Sequence, residues 1–405
     1  MTTQQVPKSF PFPKPPSIYH PSPEYAELQR EQPVTKVDLP DGGSAWLVTR
    51  YADVRQVLTD PRFSRALAAQ SDRPKRGLEL LAADSILGMD PPEHTRLRKL
   101  VASAFTARRV SELRPSVVRI VDELLDGLVD QPRPADLVHH FSLALPVRVI
   151  CTLLGVPAED LDKFHGWSDS VMADWDQDPD AIIGGFQAIG GYIAGLIEIK
   201  REEPADDLMT ALIAARDEQD RLSEEELVRL GLTLLVAGHE TTANQINMSL
   251  LTLLKYPDEL AKLRDDPGLI PGAVEELMRF VQLGGGAGGP VERIATEDME
   301  LGGVLIPAGD AVLPIFNAAN RDPLAYDDPD RLDVTRQIAS HLAFGAGVHH
   351  CLGAQLARME LQEAFAGLVR RLPGLRLAVP VEELRFKSGM IVYSLHELPV
   401  TWDTP

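Results

Sequence analysis

The chain has 405 residues, of which 44% are hydrophobic and 25% charged, and 60 acidic against 40 basic side chains leave a formal net charge of −20. That acidity argues against nucleic acid or an anionic membrane as a partner, and two cysteines cannot build a disulfide framework. No apolar run reaches the roughly twenty uninterrupted residues of a membrane helix, and the start lacks the order of a secretory signal, so a cytoplasmic monomer is expected.

No linker or low-complexity block divides the sequence, which reads as a single domain over 1–405 with a proline-rich extended arm at 1–23. Short β signal at 34–38 and 45–49 precedes a helix at 51–58. Apolar residues at helical spacing then predict helices over 94–105, 110–129, 145–154, 181–200, 224–254 and 272–280. β signal returns at 291–301 and 311–315, a last helix covers 354–372, and the tail is β again. The fold class is mainly α with a small β sheet at one edge. Cys151, inside the apolar helix 145–154, fits an ordinary buried thiol.

Chemistry concentrates in a few runs. Phe344-Gly345-Ala346-Gly347-Val348-His349-His350-Cys351-Leu352-Gly353 spells F-x-x-G-x-H-x-C-x-G just ahead of the last helix. Glycines let this backbone approach a flat macrocycle, and a helix N-terminus favours a sulfur anion. Residues 230–254 are apolar nearly all round, so that helix should cross the core, yet Ala237-Gly238-His239-Glu240-Thr241-Thr242 stands in its middle. Buried acid and alcohol groups are costly unless satisfied. Threonine back-bonding and Gly238 should loosen this turn and widen the helix locally. Glu276 and Arg279 lie three apart on one helix face. His94 and Arg98 lie one turn apart on another, and Arg293 opens a strand.

In this order the runs resemble the cytochrome P450 family of haem-thiolate monooxygenases. The resemblance covers about 23–402 and is nearest to soluble actinobacterial enzymes that tailor macrolides and other secondary metabolites. Thr49-Arg50-Tyr51-Ala52-Asp53-Val54-Arg55 and Gly353-Ala354-Gln355-Leu356-Ala357-Arg358 read like that group. It implies the P450 fold, with haem b between the long distal helix and the helix after the cysteine loop. Cys351 would be the axial iron ligand. Phe344, Gly345, His349, Gly353 and Ala357 would contact haem on the cysteine side, and Ala237 and Gly238 on the distal side. His94, Arg98, Arg293 and His349 would anchor the propionates. Thr241 would hydrogen-bond dioxygen, and Glu240 would relay protons for its cleavage. Glu276 and Arg279 would form a structural ion network with Arg331, in Pro329-Asp330-Arg331-Leu332.

The resemblance also implies insertion of one oxygen atom from O2 into a bulky hydrophobic substrate, by C–H hydroxylation or epoxidation. A macrolide or polyketide is the expected substrate, with steroid- or terpenoid-type compounds and a peroxide-driven haem enzyme as alternatives. Leu87, Met172, Ala237, His239, Leu283, Gly284 and Ile391 would line the pocket. The glycine run 284–289, where relatives carry proline and branched apolars, suggests room for such a substrate. Electrons would come from NAD(P)H through a reductase and a ferredoxin docking at Arg96, Lys99, Arg108 and Arg109. Outside this class stand a zinc protein using His349, His350 and Cys351, disfavoured because adjacent residues rarely reach one metal, and a carrier of apolar ligands.

Overall fold

The computed structural model describes residues 8–13, 17–40, 42–72, 85–171, 178–217, 222–281, 283, 292–388 and 392–403. Helices dominate. The central one, Glu224–Lys255, starts on a capping box in which Ser223 accepts from the Glu226 amide while the Glu226 carboxylate accepts from the Ser223 amide. It packs against Ala144–Leu154, Pro179–Glu202 and Ala354–Arg371. Several polar groups in its buried length are satisfied, although among the described residues the Asn244 side-chain amide has no hydrogen-bond partner. Asn247 accepts from Ser142 at 2.6 Å, Gln245 donates to Ser249 at 2.9 Å, and Thr233 and Thr252 bond back to Arg229 and Met248. A fully buried leucine in this core contributes about 1.5–3 kcal/mol, so several together outweigh those polar groups.

The expected helices are present with modest changes of boundary. That at 94–105 becomes Glu93–Ala102 followed by a tight turn, Ser103–Phe105. The expectation missed Pro23–Glu31, Leu208–Asp217 and Pro257–Asp265, two of which start on proline. Pro179–Glu202 departs from expectation, because by length and composition it could cross a membrane. Its buried residues, Ile182, Phe186, Ile189, Ile193 and Leu196, recur every three or four positions, as on a helix laid along a core.

The largest sheet orders six short strands as Lys8–Ser9, Val34–Asp38, Ser44–Val48, Ala311–Pro314, Arg293–Ala295 and Phe63–Ser64. Lys8–Ser9 pairs in parallel with Val37 and Asp38, and Phe10 beside it is fully buried. The β signal at 291–301 resolves into Arg293–Ala295 and a separate hairpin of Met299–Leu301 with Val304–Ile306. Arg293, buried on this sheet, lies within electrostatic reach of Asp90, just ahead of the helix Glu93–Ala102.

Candidate active site

The cysteine loop is shaped by two left-handed glycines, Gly345 at φ 68° and Gly347 at φ 71°. A Cβ on Gly347 would lie 2.4 Å from the Leu58 carbonyl oxygen, so only glycine fits there. The loop closes on itself: the Gly345 amide donates to Leu342 at 2.9 Å, the His350 amide to Gly347 at 3.1 Å, and the Cys351 amide to Phe344 at 2.9 Å. Gly353 then caps the helix Ala354–Arg371. Cys351 is surface-accessible, yet surrounding protein desolvates its sulfur and pushes the thiol pKa up. The Gly353 amide and the guanidiniums of Arg98 and Arg358 act in the opposite direction and favour the thiolate. Among the described residues no three His, Cys, Asp or Glu side chains converge on a metal position, which leaves the zinc alternative without a ligand set.

A second feature is a buried cluster of basic side chains beside this loop. His94 and His349 face each other with ring centroids 4.2 Å apart, and neither nitrogen of His94 nor Nε2 of His349 has a hydrogen-bond partner. Burial and neighbouring arginines hold His94 down at about 4 and His349 at about 2, and burial lowers Arg293 well below its ordinary value. Arg65 and Arg98 are among the charges that act on both histidines. Asp90, the nearby carboxylate, accepts from the Ser64 hydroxyl and from the Arg65 amide. Histidines with orphaned nitrogens, crowded by arginines, ask for anions, and the two propionates of haem supply them. With the accessible sulfur alongside, the donor set fits haem. Arg65 was not foreseen, since no local pattern separates it from the surface Arg62. It is buried and donates to the Leu87 carbonyl through Nε at 2.9 Å and Nη2 at 2.5 Å. Arg98 donates to the His350 carbonyl, so it braces the cysteine loop as well.

On the long helix, Ala237, Gly238 and Thr241 are partly accessible in a mostly buried stretch, and Ala237 and Thr241 share one face. The Thr241 hydroxyl donates back to the Ala237 carbonyl at 3.0 Å. The helix runs through 237–242 without the expected local widening. Glu240 is buried, and desolvation raises its pKa to about 7 against the opposing charge of Lys387. One expected pocket residue is corrected here. His239 is fully buried with Nδ1 2.9 Å from the Leu235 carbonyl, so it makes a helix hydrogen bond and does not line a pocket. Gly238 is also partly accessible, and a Cβ there would lie 3.2 Å from Ile150 Cδ1, so this glycine admits a neighbouring helix closely. Leu87 is half-buried, and Leu283 accepts from the Tyr393 amide at 2.7 Å. Met172, Gly284 and Ile391 lie outside the described residues.

The ion network is present with a different third member. Arg279 holds Glu276 in a two-pronged pair at 2.7 and 2.9 Å, both side chains being 0% exposed. Arg279 also donates to the carbonyls of Asn320 and Pro329, each at 2.9 Å. The expected partner, Arg331, is instead 59% exposed and paired with Asp328 and Asp333. Arg336 takes its place, with Nε 3.2 Å from Glu276 Oε1. Buried Leu332 and Val334 turn the chain so that Arg331 faces out. Arg336 wraps back across the carbonyls of Asp327, Asp328 and Arg331 to reach the carboxylate.

Comparison with known proteins agrees with this geometry. The cytochrome P450 family model matches residues 186–267 and 268–375. The chain is 51% identical to nocardicin C N-oxygenase of Nocardia uniformis subsp. tsuyamanensis, over 98% of each chain. It is 49% identical to the mycinamicin IV hydroxylase/epoxidase of Micromonospora griseorubida, over 93% of this chain and 94% of that one. Among solved structures, the LnmA cytochrome P450 hydroxylase from the leinamycin pathway of Streptomyces atroolivaceus superposes with TM-score 0.89 at 46% identity, covering 98% of this chain and all of the other. A mutant of the mixed-function P450 MycG in complex with mycinamicin V gives TM-score 0.90 at 47% identity over the same shares. At 49–51% identity over nearly the full length of such relatives, this chain belongs to the cytochrome P450 family and is a haem-thiolate monooxygenase.

Proposed function

We propose that the protein inserts one oxygen atom of O2 into a bulky, largely apolar secondary metabolite of the macrolide or polyketide class, by hydroxylation or epoxidation. The observation that carries this reading is the 49% identity to the mycinamicin IV hydroxylase/epoxidase across nearly the full length of both chains. Haem b, when bound, supplies dioxygen binding and one-electron chemistry. The chain's own residues do the rest. Cys351 holds the iron, and His94, Arg98, Arg293 and His349, joined by Arg65, receive the propionates. Thr241 supplies a partly accessible hydroxyl on the distal helix, and Glu240, half-protonated near pH 7, is a proton source one residue before it.

Electrons arrive from NAD(P)H through a reductase and a ferredoxin in a cytoplasmic setting. The basic docking face is partly neutralised: Arg96 pairs with Glu226, Arg108 with Glu112, and Arg109 with Glu112 and Asp206. Exposed Lys99, with Arg108, whose side chain stays 88% open despite its pair with Glu112, offers the strongest attraction to an acidic partner. A second reading, N-oxygenation of an amine, is favoured by the 51% identity to nocardicin C N-oxygenase.

The test is a reconstituted assay with ferredoxin and reductase against macrolides, steroids, terpenoids and amine-bearing metabolites, read by haem band shift on binding and by product mass. A macrolide that shifts the band and gains one oxygen supports the first reading. Turnover confined to amines, at nitrogen, replaces it with the second.

A further inference from the structure

Next to the buried network of Glu276, its neighbour Glu275 anchors another ion cluster, which ties the helix Ile270–Phe280 to the helix Ala354–Arg371. Arg358, seven residues beyond Cys351, donates from Nε and Nη2 to the two oxygens of Glu275 at 2.7 and 3.1 Å. His341 Nε2 lies 3.1 Å from the same carboxylate. The His341 ring accepts from the Ala343 amide at Nδ1, which fixes the proton on Nε2. Although burial opposes it, hydrogen bonds from His341 and Arg358 hold the Glu275 carboxyl down at about 2, so the pair carries both charges.

Its position matters more than its strength. The Arg358 guanidinium carbon sits 4.5 Å from the centroid of the Phe344 ring, and the Phe344 carbonyl accepts the Cys351 amide. The cation is thus one aromatic ring away from the thiolate loop. Its field reaches both His350 and Cys351, and Arg98 braces the same loop through the His350 carbonyl. Arg358 and Glu275 are only about a quarter exposed, so solvent screens them incompletely.

We propose that Arg358 and Glu275 are opposed positioning residues that set the reduction potential of the haem bound at Cys351. Reduction adds one electron to the haem–thiolate unit, so a nearby cation favours the reduced form and a nearby carboxylate opposes it. Arg358 raises the potential, and Glu275 attenuates that effect by drawing the guanidinium's charge onto itself. The inference rests on the haem-thiolate reading above.

The experiment is a spectroelectrochemical titration of the substrate-free holoenzyme and four variants. Arg358→Gln is expected to lower the one-electron reduction equilibrium constant roughly threefold to tenfold, and Glu275→Gln to raise it by a similar factor; tenfold corresponds to about 59 mV. Arg358→Lys and Glu275→Asp keep each charge and should stay within about twofold of the parent. A merely structural pair would not shift the potential in opposite directions. Shifts of one sign in both neutral variants, no shift in either, or an Arg358→Lys shift as large as that of Arg358→Gln would overturn the proposal. If Arg358→Gln does not hold haem, Glu275→Gln decides: a rise supports the proposal, and a fall or no change overturns it. Absence of the red-shifted carbonyl band in the parent would instead overturn the haem-thiolate reading itself.

Discussion

Replacing Arg336 and, separately, Arg331 by alanine discriminates sharply between the ion network as found and the one the sequence suggested. Glu276 Oε1 takes donors from Arg279, Arg336 and the Asp333 amide, and among the described residues Oε2 takes Arg279. Arg336→Ala removes one hydrogen bond onto a buried carboxylate, worth about 1.5–3 kcal/mol, and three onto carbonyls at about 1 kcal/mol each. Water recovers part of the last three because they border an exposed turn, leaving a net cost of about 3 kcal/mol. Arg331→Ala breaks only exposed pairs and should stay within about 1 kcal/mol. Against a total stability of about 5–15 kcal/mol the first loss is large and the second minor. The assay is urea unfolding of haem-loaded protein, with the retained haem fraction read by absorbance. Equal costs for the two variants, or a larger cost at Arg331, would refute the assignment.

Proton supply should follow Glu240: burial lifts its pKa to about 7, so coupling of electrons to product should fall as pH rises through that value, and Glu240→Gln should flatten the profile. A wild-type profile level across neutrality would remove Glu240 from this role. Glu360 is buried with Oε2 unpartnered, and burial raises its pKa from 4.5 to about 8. A raised folded-state pKa gives stability that is full below 4.5 and is lost as pH rises toward 8, at about 1.4 kcal/mol per pH unit. Denaturant unfolding at both ends of that window should show the loss in wild type and not in Glu360→Gln; parallel curves would contradict it. Charge reversal at Lys99 and Arg108 should slow ferredoxin-driven reduction several-fold without changing substrate affinity, and added salt should slow the wild type. Stopped-flow rates indifferent to both would place the partner on another face.

What the sequence carried locally, it carried well. The cysteine loop is legible because its constraints are local: glycine where a left-handed turn or a neighbouring carbonyl excludes Cβ, and cysteine at a helix start. The long helix is legible for a similar reason, since its apolar run is continuous and its polar centre conspicuous. Arg336 was hidden because two arginines lie five residues apart, and a turn with Asp328 at φ 45° decides which one faces in. His239 shows the same limit on a helix: the motif names the residue, while its bond with the Leu235 carbonyl decides which way it faces. Arg65 joins the basic cluster only through tertiary contact, and the Glu275–Arg358 pair spans 83 positions. Neither leaves a periodic trace.

The central claim is that Cys351 is the thiolate that holds the haem iron, and the carbon monoxide difference spectrum of the reduced protein tests it most directly. Wild type should show the red-shifted Soret band of thiolate-ligated haem. Cys351→Ser should lose that band while keeping the fold, because a serine hydroxyl is a poor substitute for the thiolate at iron. A Cys351→Ser protein that retains the red-shifted band, or a haem-loaded wild type that never shows it, would contradict the account.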